Sequence, residues 1–421
     1  MSEHDNIVLV TVDSLRTDYC GFAGGSDSHT PAMDRLAEDG TVFENAIAPG
    51  PATIDSMPVI FSGQFYPRPA ADWSAVEEPA LVREHMHARE TIPERLSRRG
   101  YETAAFTTNP WTSRRYGFDE GFDHFEDFMD VDTNRAETNG GDSNGGFLER
   151  LAKNDDGGAS IKSLQLLLDW QRQNDMFQSW ETFYDEVVAW ADQAAEPYFI
   201  WIFLVDAHMP FLPPAGFHSQ SRLATIAANL WLYLDTRRFE SVLGDRLQRA
   251  YGDTVRYVDD RMGRLYEDLA DDDPIFVVHG DHGEEFGERG VYGHGSHLSE
   301  ELIRVPLLVA NGPVGRIDRP FSLTDLPVLL EYLADGNTAD GLVRPFVQSR
   351  NFDPKIAARG DGWKYVESDD GGRLYRLERD GTVHETEDSD LQAVGRDIIS
   401  RWNVEDAERR RIVDAAREVS V

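Results

Sequence analysis

Ile7-Val8-Leu9-Val10-Thr11-Val12-Asp13 decides the fold. A strand with no polar face cannot lie on a half-solvated sheet; it must be covered on both sides, as strands of parallel sheets are. Two further runs repeat the pattern. Tyr198-Phe199-Ile200-Trp201-Ile202-Phe203-Leu204 leads into Val205-Asp206-Ala207-His208, and Ile275-Phe276-Val277-Val278 leads into His279-Gly280-Asp281-His282. Arg304-Val305-Pro306-Leu307-Leu308-Val309 reads as a fourth buried strand. The expected fold is α/β, a doubly wound and mostly parallel sheet with helices on both faces. In such sheets the carboxyl ends of the strands form the ligand edge. Asp13, Asp206/His208 and Asp281/His282 therefore head for one place, although any one acid there is either a loop cap or a ligand.

Between these runs the chain carries helix signals. Thr30-Pro31 through Gly40 has a Thr cap, Pro at the first position and Gly past the end. Residues 92–101 read as a helix, followed by a strand at Thr103–Phe106 and a polar loop with Asn109. Residues 127–160 are acidic and Gly/Asn-rich, as expected of a mobile surface insertion. Helices are expected over 161–173, 180–194 and most of 221–269. Past Asn337 the texture changes to short strands around Asp369-Asp370-Gly371-Gly372 and a charged helix over 390–417. The division is a catalytic domain at 1–337 and a small C-terminal α+β subdomain at 338–421.

The 421 residues carry a formal charge of −35, from 41 basic and 76 acidic side chains. Lysine occurs only at positions 153, 162, 355 and 364, so arginine supplies nearly all the positive charge. Acidic, lysine-poor surfaces suit concentrated salt, where screening removes self-repulsion. The same charge argues against nucleic acid and anionic membranes as partners. Cys20 is the single cysteine, which excludes an intramolecular disulfide. The first six residues lack a basic leader and no apolar run is long enough for a membrane span, so a cytoplasmic location is expected. Oligomeric state is not encoded in any readable feature.

The stretch Gly50-Pro51-Ala52-Thr53-Ile54-Asp55-Ser56-Met57-Pro58 reads as a turn feeding a helix, with Asp55 or Ser56 as its cap. A hydroxyl at a helix start can attack phosphorus or sulfur if a cation lowers its pKa. Asp13, Asp281, His282 and the Thr53 hydroxyl together offer an O/O/O/N shell that a divalent metal accepts.

The order of these motifs resembles the sulfatase family of the alkaline phosphatase superfamily. "IVLVTVDSLRTDYCG" is similar to the family's opening metal strand, and "TPAMDRLAEDGTVFENAIAP" to the approach to its nucleophile. "VDAHMPFLPP" resembles the His-bearing substrate loop; "GDHGEEFGE" and "YGHGSHLSEELIRVPLLV" resemble the second metal motif and the loop beyond it. "DGWKYVES" with "RLYRLERD" is similar to the closing strands. Three departures matter. Thr53 stands where typical sulfatases have the cysteine that becomes formylglycine, with Met57 in place of the motif's Arg. Ser14 replaces a second Asp ligand, and His282 replaces a common Asn. Thr53-x-x-Ser56-x-Pro58 resembles the nucleophile motif of phosphoethanolamine transferases, and a single Asp with an Asp-His pair resembles the metal shell of those enzymes and of phosphonate monoester hydrolases. Imidazole in the shell favours Mn²⁺ or Zn²⁺ over Mg²⁺ or Ca²⁺.

The resemblance implies a metal-dependent hydrolase of phosphate or sulfate esters working through a covalent Thr53 intermediate. Thr53 is also a metal ligand beside Asp13, Asp281 and His282. His208 and His294 are the choices for gripping the anion or protonating the leaving group; His297, Arg16 and Asn109 are candidate substrate contacts. The substrate would be a small-molecule, glycan or lipid ester. A soluble phospho-headgroup transferase and a silent binding protein on the same fold are the competing readings.

Overall fold

The structure is a computed structural model describing residues 5–25, 29–66, 78–128, 179–232, 239–351, 355–378 and 381–419. The expected helix over 161–173 and all but two residues of the insertion at 127–160 lie outside them.

The central sheet has nine strands: β1 (Ile7–Val12), β2 (Thr41–Ile47), β3 (Glu102–Thr107), β4 (His124–Glu126), β5 (Tyr198–Leu204), β6 (Ile275–Gly280), β9 (Arg304–Ala310), β10 (Gly315–Ile317) and β11 (Phe321–Ser322). A two-stranded hairpin, β7 (Glu285–Phe286) and β8 (Tyr292–Gly293), stands apart at the ligand edge. The order is β10-β2-β9-β6-β1-β5-β3-β4, with β11 also on β2. All three continuous apolar runs are neighbours, β6-β1-β5, at the centre. Their alternate side chains enter two separate cores. Val8, Val10 and Val12 face one, with Ile200, Ile202 and Val278. Ile7 and Leu9 face the other, with Phe199, Trp201 and Val277. Each such side chain contributes about 1.5–3 kcal/mol of burial, which is why none of these runs admits a charge.

β9 is buried as expected but runs antiparallel to both β6 and β2. After β6 the chain stays at the ligand edge through residues 281–303, so it can only re-enter the sheet in the opposite direction. On one face pack the helices Pro31–Glu38 and Glu240–Asp268; on the other pack Thr53–Ser62 and Leu326–Ala334.

The C-terminal part holds an antiparallel five-stranded sheet, β12 (Phe346–Arg350), β13 (Ile356–Gly360), β14 (Trp363–Ser368), β15 (Gly371–Leu377) and β16 (Val383–Thr386), where the sequence suggested two strands. The helix Ser389–Val419 covers it through Ile399 against Ala358, Tyr365 and Leu374. Strand β12 abuts the nucleophile turn: Ser349 Oγ donates to the Ala48 carbonyl at 2.7 Å, and Arg350 N to that of Pro49 at 2.8 Å.

Candidate active site

Thr53 opens the helix Thr53–Ser62. Ala52, not Asp55 or Ser56, is the N-cap, and no side chain closes that helix start, which corrects the expected cap. Ser56 instead pins the turn, donating to Gly50 O at 2.8 Å and accepting from Gly50 N at 3.2 Å. Gly50 is required there, since a Cβ would fall 2.2 Å from that of Asp55. Pro58 removes the donor that would bind the Ile54 carbonyl, and the Tyr66 hydroxyl takes its place at 2.9 Å. The helix start is therefore rigidly placed while its own hydroxyl stays available.

Strands β1 and β6 are parallel partners with Val12 opposite Gly280, so the next residues, Asp13 and Asp281, emerge side by side. Both carboxylates and the His282 ring are fully buried. One ligand atom from each lies within 4.8 Å of the others, and they form the single such cluster among the described residues. His282 Nδ1 faces the Gly283 carbonyl at 2.8 Å. A carbonyl only accepts, so the proton sits on Nδ1 and the bare Nε2 lone pair faces inward. It points at Asp13 Oδ1 at 3.5 Å and Asp281 Oδ2 at 3.6 Å, and receives the Thr53 hydroxyl at 3.3 Å. Asp281 Oδ2 has no hydrogen-bond partner. Two acids, one with an orphaned oxygen, and an imidazole lone pair pointing at one another repel unless a cation sits between them, so this donor set fits a divalent metal.

Protonation follows the same logic. Burial, then the Asp281 charge, raises Asp13 well above the carboxylate range against the pull of His294, Ser14 and Asn109. Burial pushes Asp281 to about 7, held back by the nearby Thr53 hydroxyl and the backbone N–H groups of Ser14 and His282. Burial and the His294 charge hold His282 well below its usual value.

Around this cluster the structure gathers some sequence candidates and disperses others. Asn109 Nδ2 donates to Asp13 Oδ2 at 2.7 Å, so it orients a metal-site acid. His294 lies between two other imidazoles, its ring 4.5 Å from that of His282 and 5.2 Å from that of His208. Burial opposes its charge, but Glu284 at 3.3 Å, Asp13 and Asp281 raise its pKa to about 9, which makes it an imidazolium. His208 donates from Nδ1 to its neighbour's carbonyl, Met209 O, at 2.6 Å, and burial with the His294 charge lowers it to about 3. It is a neutral acceptor beside a cationic donor. His297 turns away to Glu285 at 2.8 Å. Arg16 spends its guanidinium on Asp18, Glu288 and the Glu284 carbonyl. Asp206 accepts from Ser179 Oγ and Trp180 N and is not in the metal cluster, so the strand-end argument fails for that acid.

Two residues at the site were not among the candidate site residues, Ser14 having been noted only as a departure from the family's second Asp. Ser14 adopts a left-handed φ of 60° and donates from N to Asp281 Oδ1 and from Oγ to Asp13 Oδ1, tying the two acids together. Glu284, fully buried, is the acid behind His294. A groove of about 690 Å³ beside Pro31, Phe217 and Arg256 contains none of these residues; chemistry, not volume, marks the site.

A doubly wound sheet thus brings together, at its ligand edge, two strand-end acids, an inward imidazole and a helix-start hydroxyl, the residues of the motifs by which the sequence resembles sulfatases. The chain belongs to the sulfatase family, whose description, Sulfatase, matches residues 5–316. It is 24% identical over 413 residues to a sulfatase of Formosa agariphila, spanning 87% of this chain and 79% of that one. Its fold is similar to that of a putative sulfatase from Bacteroides thetaiotaomicron, with a TM-score of 0.66 at 17% identity over 97% of this chain and 94% of that one. It is also similar to the phosphonate monoester hydrolase of Agrobacterium radiobacter, with a TM-score of 0.62 at 15% identity over 96% of each.

Proposed function

We propose that this sulfatase-family hydrolase cleaves a phosphate or sulfate ester through a covalent intermediate on Thr53. The observation carrying this reading is the Thr53 hydroxyl 3.3 Å from His282 Nε2, at an uncapped helix start beside the buried acids. A divalent cation held by Asp13, Asp281, His282 and Thr53, with Mn²⁺ or Zn²⁺ favoured over Mg²⁺ or Ca²⁺, supplies positive charge that lowers the hydroxyl pKa and offsets the anion's charge. Thr53 Oγ1, its proton released to solvent, bonds to the central phosphorus or sulfur as the bond to the alcohol oxygen breaks. His294, protonated beside Glu284, gives its proton to that leaving oxygen and becomes neutral. His208, neutral, accepts a hydrogen bond from the entering water. That water gives one proton back to His294 as it bonds to the central atom, which releases the anion and restores the Thr53 oxygen. Arg16 and His297, engaged by acids of their own, hold the surrounding loops instead of the anion.

Thr53→Ala should lower kcat on the order of 10⁴-fold, at about 1.4 kcal/mol per tenfold, while the metal stays bound. Thr53→Ser should keep partial activity. Mass spectrometry of enzyme quenched during turnover should find added phosphoryl or sulfuryl mass on the Thr53 peptide. An adduct on Ser56, or an alanine variant at the wild-type rate, sinks the reading. A panel of aryl sulfates, phosphate monoesters, phosphodiesters and phosphonate esters selects the substrate class.

The composition supports a salt-rich cytoplasm as the place of work. With a charge of −35, the melting temperature should climb from dilute buffer to molar KCl as self-repulsion is screened. A flat series removes this part of the proposal and leaves the chemistry untouched.

A further inference from the structure

Lysine is nearly absent from this chain, with four against 37 arginines. Two of them, Lys355 and Lys364, fall within the described residues, and both end on one loop. Lys355 Nζ donates to Ser296 O at 2.6 Å, and Lys364 Nζ to Leu298 O at 2.9 Å. Asn351, fully buried, adds its amide, donating from Nδ2 to Gly295 O at 3.2 Å and Ser296 O at 3.4 Å. Its Oδ1 accepts from Lys355 N at 3.3 Å, which couples the two donors. Three carbonyls beyond His294, those of Gly295, Ser296 and Leu298, are thus covered by side chains of the C-terminal part, that of Ser296 by two of them. Gly295 sits at φ +97°, which glycine adopts without strain, just beyond the short β7–β8 ladder.

The residues just before Asn351 reach the other half of the site. Ser349 and Arg350 hold the Ala48 and Pro49 carbonyls, one turn ahead of Thr53. One short segment therefore grips both the turn that carries the nucleophile and the loop that carries the imidazolium. At the buried Lys364, a compact ammonium with three donors suits a carbonyl oxygen packed under a sheet better than a planar guanidinium fork does.

We propose that Ser349–Asn351, Lys355 and Lys364 form a brace that fixes His294 relative to Thr53, so that Asn351 and Lys355 are positioning residues for the ester cleavage. This rests on the function proposed above. The brace acts on geometry: an imidazolium displaced by a fraction of an ångström still binds substrate but meets the leaving oxygen poorly.

The test uses the full chain in molar KCl with Mn²⁺, comparing Lys355→Met, Asn351→Leu and Lys355→Arg with wild type. Lys355→Met and Asn351→Leu should lose about tenfold or more in kcat with KM within about twofold and metal content unchanged. Lys355→Arg, at the more open end of the brace, should recover most of the rate. Hydrogen exchange of the peptide spanning residues 294–299 should speed up in the methionine and leucine variants and not in the arginine variant. Unchanged exchange, or altered KM with intact kcat, overturns the brace. Wild-type protein inactive on every ester, with exchange still responding, overturns the proposed function and leaves the brace standing.

Discussion

Among the described residues, the buried charges under the C-terminal sheet and those at the ligand edge are built on opposite terms. Under the C-terminal sheet, Glu300 meets Lys364 at 2.9 Å and Arg359 at 3.3 Å. Burial would raise Glu300, but Lys364 and Arg359 bring it down to about 2. Lys364 itself is lowered, because burial and two nearby arginines outweigh its single acid. The acid has several cations and the lysine one acid, so the two shifts need not mirror each other. At the ligand edge, the one cation facing Asp13 and Asp281 among the described residues is His294, and both acids are pushed upward. Where charge is structural the chain provides the counter-charge; at the ligand edge acids outnumber it, as suits a divalent cation.

The sharpest way to break that contrast is Asp281→Asn. If the edge cluster is a cation site, the variant should lose the divalent ion by elemental analysis and about 10³-fold or more of activity. Its metal-free form should melt no lower than metal-free wild type, because an uncompensated buried acid has been removed. A full metal equivalent in the variant would dismiss the assignment.

The contrast also shows what a sequence can and cannot disclose. β1, β5 and β6 were legible to the residue or nearly so, because strands buried on both faces must be apolar throughout. β2 was not: Glu44 and Asn45 interrupt its alternation at a register shift between Phe43 and Ala46. The direction of β9 was hidden because it lies in the path of residues 281–303 and not in the strand itself. At the site, Asp13, Asp281, His282 and Thr53 converge as their positions suggested. Asp206 does not, since a strand-end position says nothing of where the side chain turns. Glu284 was lost among 76 acidic residues, where one functional carboxylate carries no compositional signal.

A second measurement works from the compensated side. Lys364→Met keeps the stem and deletes the ammonium, leaving Glu300 to Arg359 alone and the Leu298 carbonyl without its donor. Breaking a buried pair from one side costs about 3–5 kcal/mol, so urea midpoints in molar KCl should fall accordingly. A change below about 1 kcal/mol would mean that the cluster is as solvated as a surface pair.

The smallest effect is in acid. Glu300 is depressed from an ordinary 4.5 to about 2. A carboxylate with a lowered folded-state pKa stabilises fully above its unfolded value, and that contribution disappears as pH falls through the folded one. The window is therefore pH 4.5 down to about 2, and the shift corresponds to about 3 kcal/mol. Within that window the slope of unfolding free energy against pH should be shallower in Glu300→Gln than in wild type, since the amide has no proton to take up. At neutral pH the same variant should already be weaker, with Lys364 and Arg359 left facing an uncharged partner. Urea melts at closely spaced pH values in constant molar KCl separate this group from the other carboxylates. Parallel curves for the two proteins would show that Glu300 titrates as an exposed acid does, and the compensated half of the comparison would fall.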